Sequence, residues 1–177
     1  MGPMSDRQTP SRLGLVARRV RTQQWWNHKV PPLLLVAYLL LLGSGGPPVT
    51  PAGHALFLLA GLGAAIVGVA SAGHIMNDWA DLGADAKAGK ANVLSQVSRP
   101  VRATLLLGAV FLGAGAWMVI DPGVGGWVVF ALELGLLTAY SAPPFRLKGR
   151  GLLGVAADAT YASALPIALT ALAMATV

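Results

Sequence analysis

Asp78, Asp81 and Asp85 stand at i, i+3 and i+7 within Asn77-Asp78-Trp79-Ala80-Asp81-Leu82-Gly83-Ala84-Asp85, at the end of a long apolar segment. On an α-helix these spacings return to one face, so the three carboxylates are expected to point the same way. Like charges gathered beside a bilayer repel one another, which calls for a compensating cation. Hard divalent ions take carboxylate oxygens, and Mg²⁺ is usually held by one or two carboxylates together with substrate phosphates. A merely solvated helix terminus also carries acids. The chain has only seven Asp and Glu in 177 residues, however, and three of the seven fall here. That concentration favours a site.

A second polar stretch is Tyr140-Ser141-Ala142-Pro143-Pro144-Phe145-Arg146-Leu147-Lys148-Gly149-Arg150-Gly151. Its paired prolines cannot continue a helix, so the preceding segment must end there. The loop then offers three cations, a hydroxyl and a phenol. As anchors, Arg146, Lys148 and Arg150 need no role beyond fixing the loop at a membrane surface. Set beside the acidic helix end they become its complement, with cations for phosphate oxygens and carboxylates for a bridging metal.

The elements that carry these residues follow from composition. Apolar residues make up 55 % of the chain and charged residues 11 %, and the mean hydropathy is +0.63. A soluble domain averages about 25 % charged residues, so the composition belongs to a polytopic membrane protein. Five apolar segments can be drawn, at about 30–42, 54–77, 103–120, 124–141 and 152–174. A span needs about 20 predominantly apolar residues, so the first is short and relies on its approach, where Trp25 and Trp26 form an interfacial belt. The expected fold is an all-α bundle of about five transmembrane helices. Cysteine is absent, which excludes disulfides, thiolate metal sites and a Cys nucleophile.

Charge distribution gives an orientation. Six of the Lys and Arg (Arg7, Arg12, Arg18, Arg19, Arg21 and Lys29) precede the first segment; Lys87, Lys90, Arg99 and Arg102 follow the second; Arg146, Lys148 and Arg150 follow the fourth. The connections 43–53 and 121–123 contain none. The positive-inside rule then predicts a multi-pass protein of the cell membrane with a cytoplasmic N-terminus and a cytoplasmic aspartate cluster. The net charge of +6 is accounted for as an orientation signal, without nucleic acid as a partner. Residues 1–29 lack an apolar stretch followed by a cleavage site and read as a basic segment with no cleaved signal. Within it Leu13, Leu15, Val16 and Val20 with Arg18, Arg19 and Arg21 suit an interfacial helix, and the first ten residues suit a solvated tail.

Three further residues are weaker candidates. Glu133 lies mid-span in the fourth segment and Asp158 early in the fifth; intramembrane acids are expected to face the bundle interior, either as functional groups or as carboxyls hydrogen-bonded between helices. His74 precedes Asp78 by one turn on the same face, as a supporting or a packed residue.

Taken together, these motifs resemble those of the UbiA superfamily of intramembrane prenyltransferases. Its first aspartate-rich motif, N-D-x-x-D-x-x-x-D at the cytoplasmic end of the second helix, is matched by Asn77, Asp78, Asp81 and Asp85. Its Y-S-x-P-P-x-R-x-K loop after the fourth helix is matched by Tyr140, Ser141, Pro143, Pro144, Arg146 and Lys148. The start of its first helix is similar to Arg21, Gln24, Trp25, Asn27 and Lys29 here. The resemblance covers about residues 18–170. It departs where Asp85 is followed by Ala86-Lys87-Ala88-Gly89-Lys90-Ala91-Asn92 rather than by an Arg- and Pro-rich continuation. Members have about nine transmembrane helices and a second motif of D-x-x-x-D type. Here Asp158 has Ala162 where its partner would be, so the expectation is an N-terminal half or truncated member, with residues 30–177 as the prenyltransferase-like domain and a second half-chain as partner.

The resemblance implies Mg²⁺-dependent transfer of an isoprenyl group from an isoprenyl diphosphate to an aromatic or other lipophilic acceptor. Asp78, Asp81 and Asp85 would hold the metal. Arg21, Asn27, Asn77, Arg146 and Lys148 would bind the diphosphate. Asp78, Asp81, Lys148 and Tyr140 would carry catalysis, Tyr140 by offering its ring face to a developing carbocation, though a packed interfacial tyrosine is the other reading. An apolar cavity between helices would take the isoprenoid, with Gly61-Leu62-Gly63-Ala64-Ala65 and Gly113-Ala114-Gly115 allowing close packing around it. Related alternatives on the same fold are a polyprenyl-phosphate phosphoribosyltransferase and a terpene cyclase. A non-catalytic half-length membrane protein or subunit is the reading from a different class.

Overall fold

The computed structural model describes residues 30–39 and 52–175, and these are helical throughout apart from short connections. Arg21 and Asn27, together with the rest of the N-terminal segment, lie outside the described residues, as does the 43–51 part of the connection. In chain order the helices are α1 (Val30–Leu39), α2 (Ala52–Lys87), α3 (Arg99–Ile120), α4 (Gly123–Ser141), α5 (Leu152–Ala159) and α6 (Leu165–Ala175). A π turn, Thr160–Ala164, joins α5 to α6, so that Leu152–Ala175 forms one apolar rod of 24 residues. Among the described residues four helices are long and apolar enough to cross a membrane: this rod, α2, α3 and α4. α1 is shorter than a span.

α2 is the longest element. Its 36 residues extend about 54 Å at 1.5 Å per residue, well beyond a hydrocarbon core of about 30 Å. The apolar run ends near Asn77, yet the helix continues to Lys87, because Ala, Leu and Asp at its end do not interrupt it as Pro or paired Gly would. Asp78, Asp81 and Asp85 therefore lie on regular helix beyond the end of the apolar run.

Two sharp connections set the packing. Ser98, in extended conformation, and Pro100 in the first turn start α3. At its other end Asp121 is left-handed (φ 55°) and Gly123 has φ 66°, so the chain turns sharply within Asp121-Pro122 and α4 packs on α6 and α2 rather than along α3. The most extensive helix contact is between α2 and α3, and it is set at Gly68 and Gly113. A Cβ on Gly68 would lie 2.3 Å from the Gly113 nitrogen, so only glycine permits this crossing. Of the glycines expected to allow close packing, Gly113 does so, whereas Gly61 approaches only the Ile120 side chain and Gly63 and Gly115 have open space about them; on α2 the close approach falls at Gly68, two turns beyond Gly61.

The main core gathers Leu33 and Ala37 from α1, Leu62 and Ile66 from α2, Trp117 from α3, Phe130 from α4 and Leu169 from α6. A second core beneath the acidic end of α2 packs Leu94 and Val97 of the α2–α3 connection on Ala72, Ile75 and Ala109. That connection is a built element rather than a slack loop.

Candidate functional site

The acidic and basic motifs meet. Lys148 Nζ donates to Asp81 Oδ2 at 2.6 Å and to Asn77 Oδ1 at 2.7 Å, and Arg146 Nη2 donates to Asp81 Oδ1 at 2.8 Å. Asp81 thus has a cation on each oxygen. The Lys148 side chain is 16 % exposed, that of Asp81 20 % and that of Arg146 44 %, so Lys148 is the inner and Arg146 the outer partner. Partial burial strengthens the inner pair relative to a surface ion pair, which contributes about 0–1 kcal/mol.

Local backbone dictates how Lys148 reaches α2. After Pro143-Pro144 ends α4, Arg146 takes a left-handed conformation (φ 41°) and caps a single 3₁₀ turn, Leu147–Gly149. Gly154, on the first turn of α5, packs against that turn. A Cβ there would lie 2.6 Å from the Leu147 carbonyl oxygen and 3.2 Å from Lys148 Cα. The absence of a side chain at 154 is what lets the turn, and Lys148 with it, sit close to the bundle.

The three aspartates divide the work. Asp81 faces the basic loop; Asp78 is buried, 2 % exposed; and Asp85 is tied to the α2–α3 connection. Asn92 Nδ2 donates at 2.8 Å both to Asp85 Oδ2 and to the backbone carbonyl of Asp78. The Asn92 Oδ1 accepts from the Leu94 N–H at 3.0 Å, capping the 3₁₀ turn Val93–Gln96. Asn92 therefore pins the connection to the last two turns of α2. Sequence reasoning passed over it as part of an atypical continuation; its signal is a single Asn preceding a buried Leu94.

Beneath the ion cluster opens a cavity of about 220 Å³. Asn77, Tyr140 and Tyr161 line it on the side of Lys148; Val69, Leu137 and Trp117 are among its apolar lining, and half-buried His74 and buried Glu133 and Thr170 add polar groups. Glu133 is 4 % exposed, which places this mid-span acid inside the bundle as expected. Asp158 departs from expectation: it is exposed, and its Oδ1 accepts from Tyr161 OH at 2.7 Å. Tyr161 was not singled out from sequence. Its ring lies 5.1 Å from that of Tyr140 at 52°, within the range of favourable aromatic pairs. Pro166 explains its placement. Lacking an N–H to donate to the Ala162 carbonyl, it leaves the preceding turn to widen into the π turn, and Tyr161 and Ala162 line the cavity.

The donor set suits a hard divalent ion in kind, since Asp78, Asp81 and Asn77 present carboxylate and amide oxygens on successive turns. Among the described residues no three His, Cys, Asp or Glu side chains converge as ligands of one ion, because Asp81 is engaged by cations and Asp85 by Asn92. Comparison with known proteins adds no relative: no family model, curated protein or solved structure matches the chain.

Proposed function

We propose that the Asp81–Lys148–Arg146 cluster binds the diphosphate of an isoprenyl diphosphate and that the protein transfers the isoprenyl group to an aromatic or other lipophilic acceptor. One observation carries the reading. Acids and cations from sequence-distant motifs converge beside a largely apolar cavity, at the end of helices fit to cross a membrane. A ligand that suits both parts has a multiply charged anionic head and a lipophilic body. The resemblance of both motifs to UbiA-type prenyltransferases supports the same class.

Asp78 and Asp81, with Asn77, are the residues that would hold Mg²⁺, whose bound charge would neutralise part of the diphosphate. For Asp85 to join them, its bond from Asn92 would have to be exchanged. Lys148 and Arg146 then turn from Asp81 to the phosphate oxygens, donating charge-assisted hydrogen bonds where negative charge accumulates. The bond from the allylic carbon to the diphosphate oxygen breaks, the electron pair leaving with the diphosphate. The acceptor supplies the pair for the new bond and releases a proton. Tyr140 and Tyr161 flank the path of the allylic carbon with their rings, a placement that favours cationic character there. The apolar walls exclude the water that would otherwise quench it.

Photolabelling tests the assignment. A diazirine-bearing isoprenyl diphosphate should label peptides containing Tyr140 or Tyr161, and inorganic diphosphate with Mg²⁺ should compete. Labelling confined to the exposed faces of α3, with no competition, would refute it.

A further inference from the structure

A second group of cations brackets the α2–α3 connection: Lys87 ends α2, Lys90 follows it, and Arg99 and Arg102 stand in the first turn of α3. Arg146 and Lys148 of the other basic loop are both taken up by Asp81, whereas none of these four makes an ion pair with a described acid. Asp85, the one acid between Leu82 and Arg102, accepts from Asn92. Orientation in a membrane asks only that cations lie on one side of it. Here they are also held in place. Helical spacing puts Arg99 and Arg102 on the α3 stripe that continues through Leu106, Ala109 and Gly113, the stripe that packs on α2. Arg102 is half-buried, and its Nε is closed off from solvent with no hydrogen-bond partner. Its guanidinium is therefore fixed at the junction of the two helix ends rather than swinging in water. The connection itself is fixed by Asn92, which donates to Asp78 and Asp85, and by buried Leu94 and Val97. Preorganised cations with no acid to neutralise them suit a phosphate, which accepts several charge-assisted hydrogen bonds at once.

The rest of α3 says what the phosphate is attached to. From this junction α3 runs on as a helix long and apolar enough to cross a membrane, and Val101, Leu107, Phe111, Leu112 and Met118 are exposed along it. In a bilayer those side chains meet acyl chains. We propose that the junction between the end of α2 and the start of α3 binds the phosphate of an anionic phospholipid. Arg99 and Arg102 donate to it, Lys87 and Lys90 add attraction, and the acyl chains lie along the exposed side of α3. Basic junctions between transmembrane helices at a leaflet surface are where such headgroups settle. The site is separate from the Asp81–Lys148–Arg146 cluster and stands whether or not the protein transfers isoprenyl groups. A lipid seated there bridges the helix ends and steadies the connection that Asn92 pins to α2.

Native mass spectrometry of the full chain in a neutral detergent, titrated with dioleoylphosphatidylglycerol or dioleoylphosphatidylcholine, tests the proposal. Each Lys or Arg near an anionic headgroup contributes about fivefold in affinity, so wild type should bind phosphatidylglycerol at least about tenfold more tightly than phosphatidylcholine. Arg99→Gln and Arg102→Gln should each weaken phosphatidylglycerol binding by about fivefold and leave phosphatidylcholine unchanged. Arg150→Gln makes the same charge change on the other basic loop and should leave both unchanged. Arg99 is exposed, so its replacement carries the test even if Arg102→Gln unsettles the fold. Inorganic phosphate and glycerol 3-phosphate, which share the phosphate but lack acyl chains, should not displace the lipid. Equal affinity for the two lipids, or equal losses in all three Arg variants, would overturn the proposal and leave the cations as an orientation signal. Displacement by inorganic phosphate would overturn the lipid as the source and make this a site for a soluble anion.

Discussion

Gly154 offers the sharpest perturbation of the site, because it touches no charged group and acts only through the turn that carries Lys148. In Gly154→Ala the new Cβ would stand 2.6 Å from the Leu147 carbonyl oxygen, and ordinary contact begins near 3.4 Å. The obstacle is backbone and cannot rotate away, so the turn must retreat by about 0.8 Å. Lys148 Nζ, now 2.6 Å from Asp81 and 2.7 Å from Asn77, would be drawn toward the limit of a charge-assisted bond. Overpacking of this kind costs about 1–3 kcal/mol in stability, and misplacement of a positioning group by about 1 Å can cost about a hundredfold in function. We expect farnesyl diphosphate affinity in nanodiscs with Mg²⁺ to fall at least tenfold and the thermal midpoint to drop. Gly149→Ala in the same turn is the control, since a Cβ there meets nothing within 4 Å. Wild-type affinity in Gly154→Ala would refute the claim that this contact positions Lys148.

Four other outcomes are expected. Lys148→Ala should destabilise by about 1.5–3 kcal/mol, the range for hydrogen bonds to charged groups, whereas Arg146→Ala, on the exposed side, should cost about 0–1 kcal/mol; chemical denaturation in detergent compares them. Asn92→Leu should cost about 1–3 kcal/mol for each polar partner it strands, and limited proteolysis should cut the 88–98 connection faster than in wild type. Gly68→Val should cost about 3 kcal/mol by forcing α2 from α3, while Gly63→Ala, in open space, should leave the thermal midpoint unchanged. Under the proposed orientation, an impermeant thiol reagent outside intact cells should label Ser44→Cys and miss Ala88→Cys; the reverse pattern would invert the topology.

Much of the candidate site was legible because its two halves are written as short motifs with fixed geometry. Helical periodicity put Asp78 and Asp81 in consecutive turns, and Pro143-Pro144 guaranteed a loop bearing Arg146 and Lys148 at one end of the bundle. Sequence could not tell that Asp85 would turn away, since its partner Asn92 reaches it only through a fold-back buried by Leu94 and Val97. Nor could it locate the α2–α3 crossing at Gly68 and Gly113, because several glycines were equally eligible and packing chose among them. The helix end at Lys87 was hidden because apolarity marks the depth of a span, whereas helix continuity depends on breakers. Tyr161 enters the cavity through a π turn, a departure from the period on which helical reading rests.

The central claim is that one metal-dependent diphosphate site is shared between α2 and the turn carrying Lys148. Equilibrium binding of farnesyl diphosphate to the nanodisc-embedded chain, in Mg²⁺ and in EDTA, tests it most directly. We predict much tighter binding with Mg²⁺, a difference largely erased in Asp81→Asn and Asp78→Asn, and weak binding under both conditions in Lys148→Ala. Equal affinity in Mg²⁺ and EDTA, unaltered by these substitutions, would contradict the account and leave the cluster as an ion pair that only joins the loop to the helix.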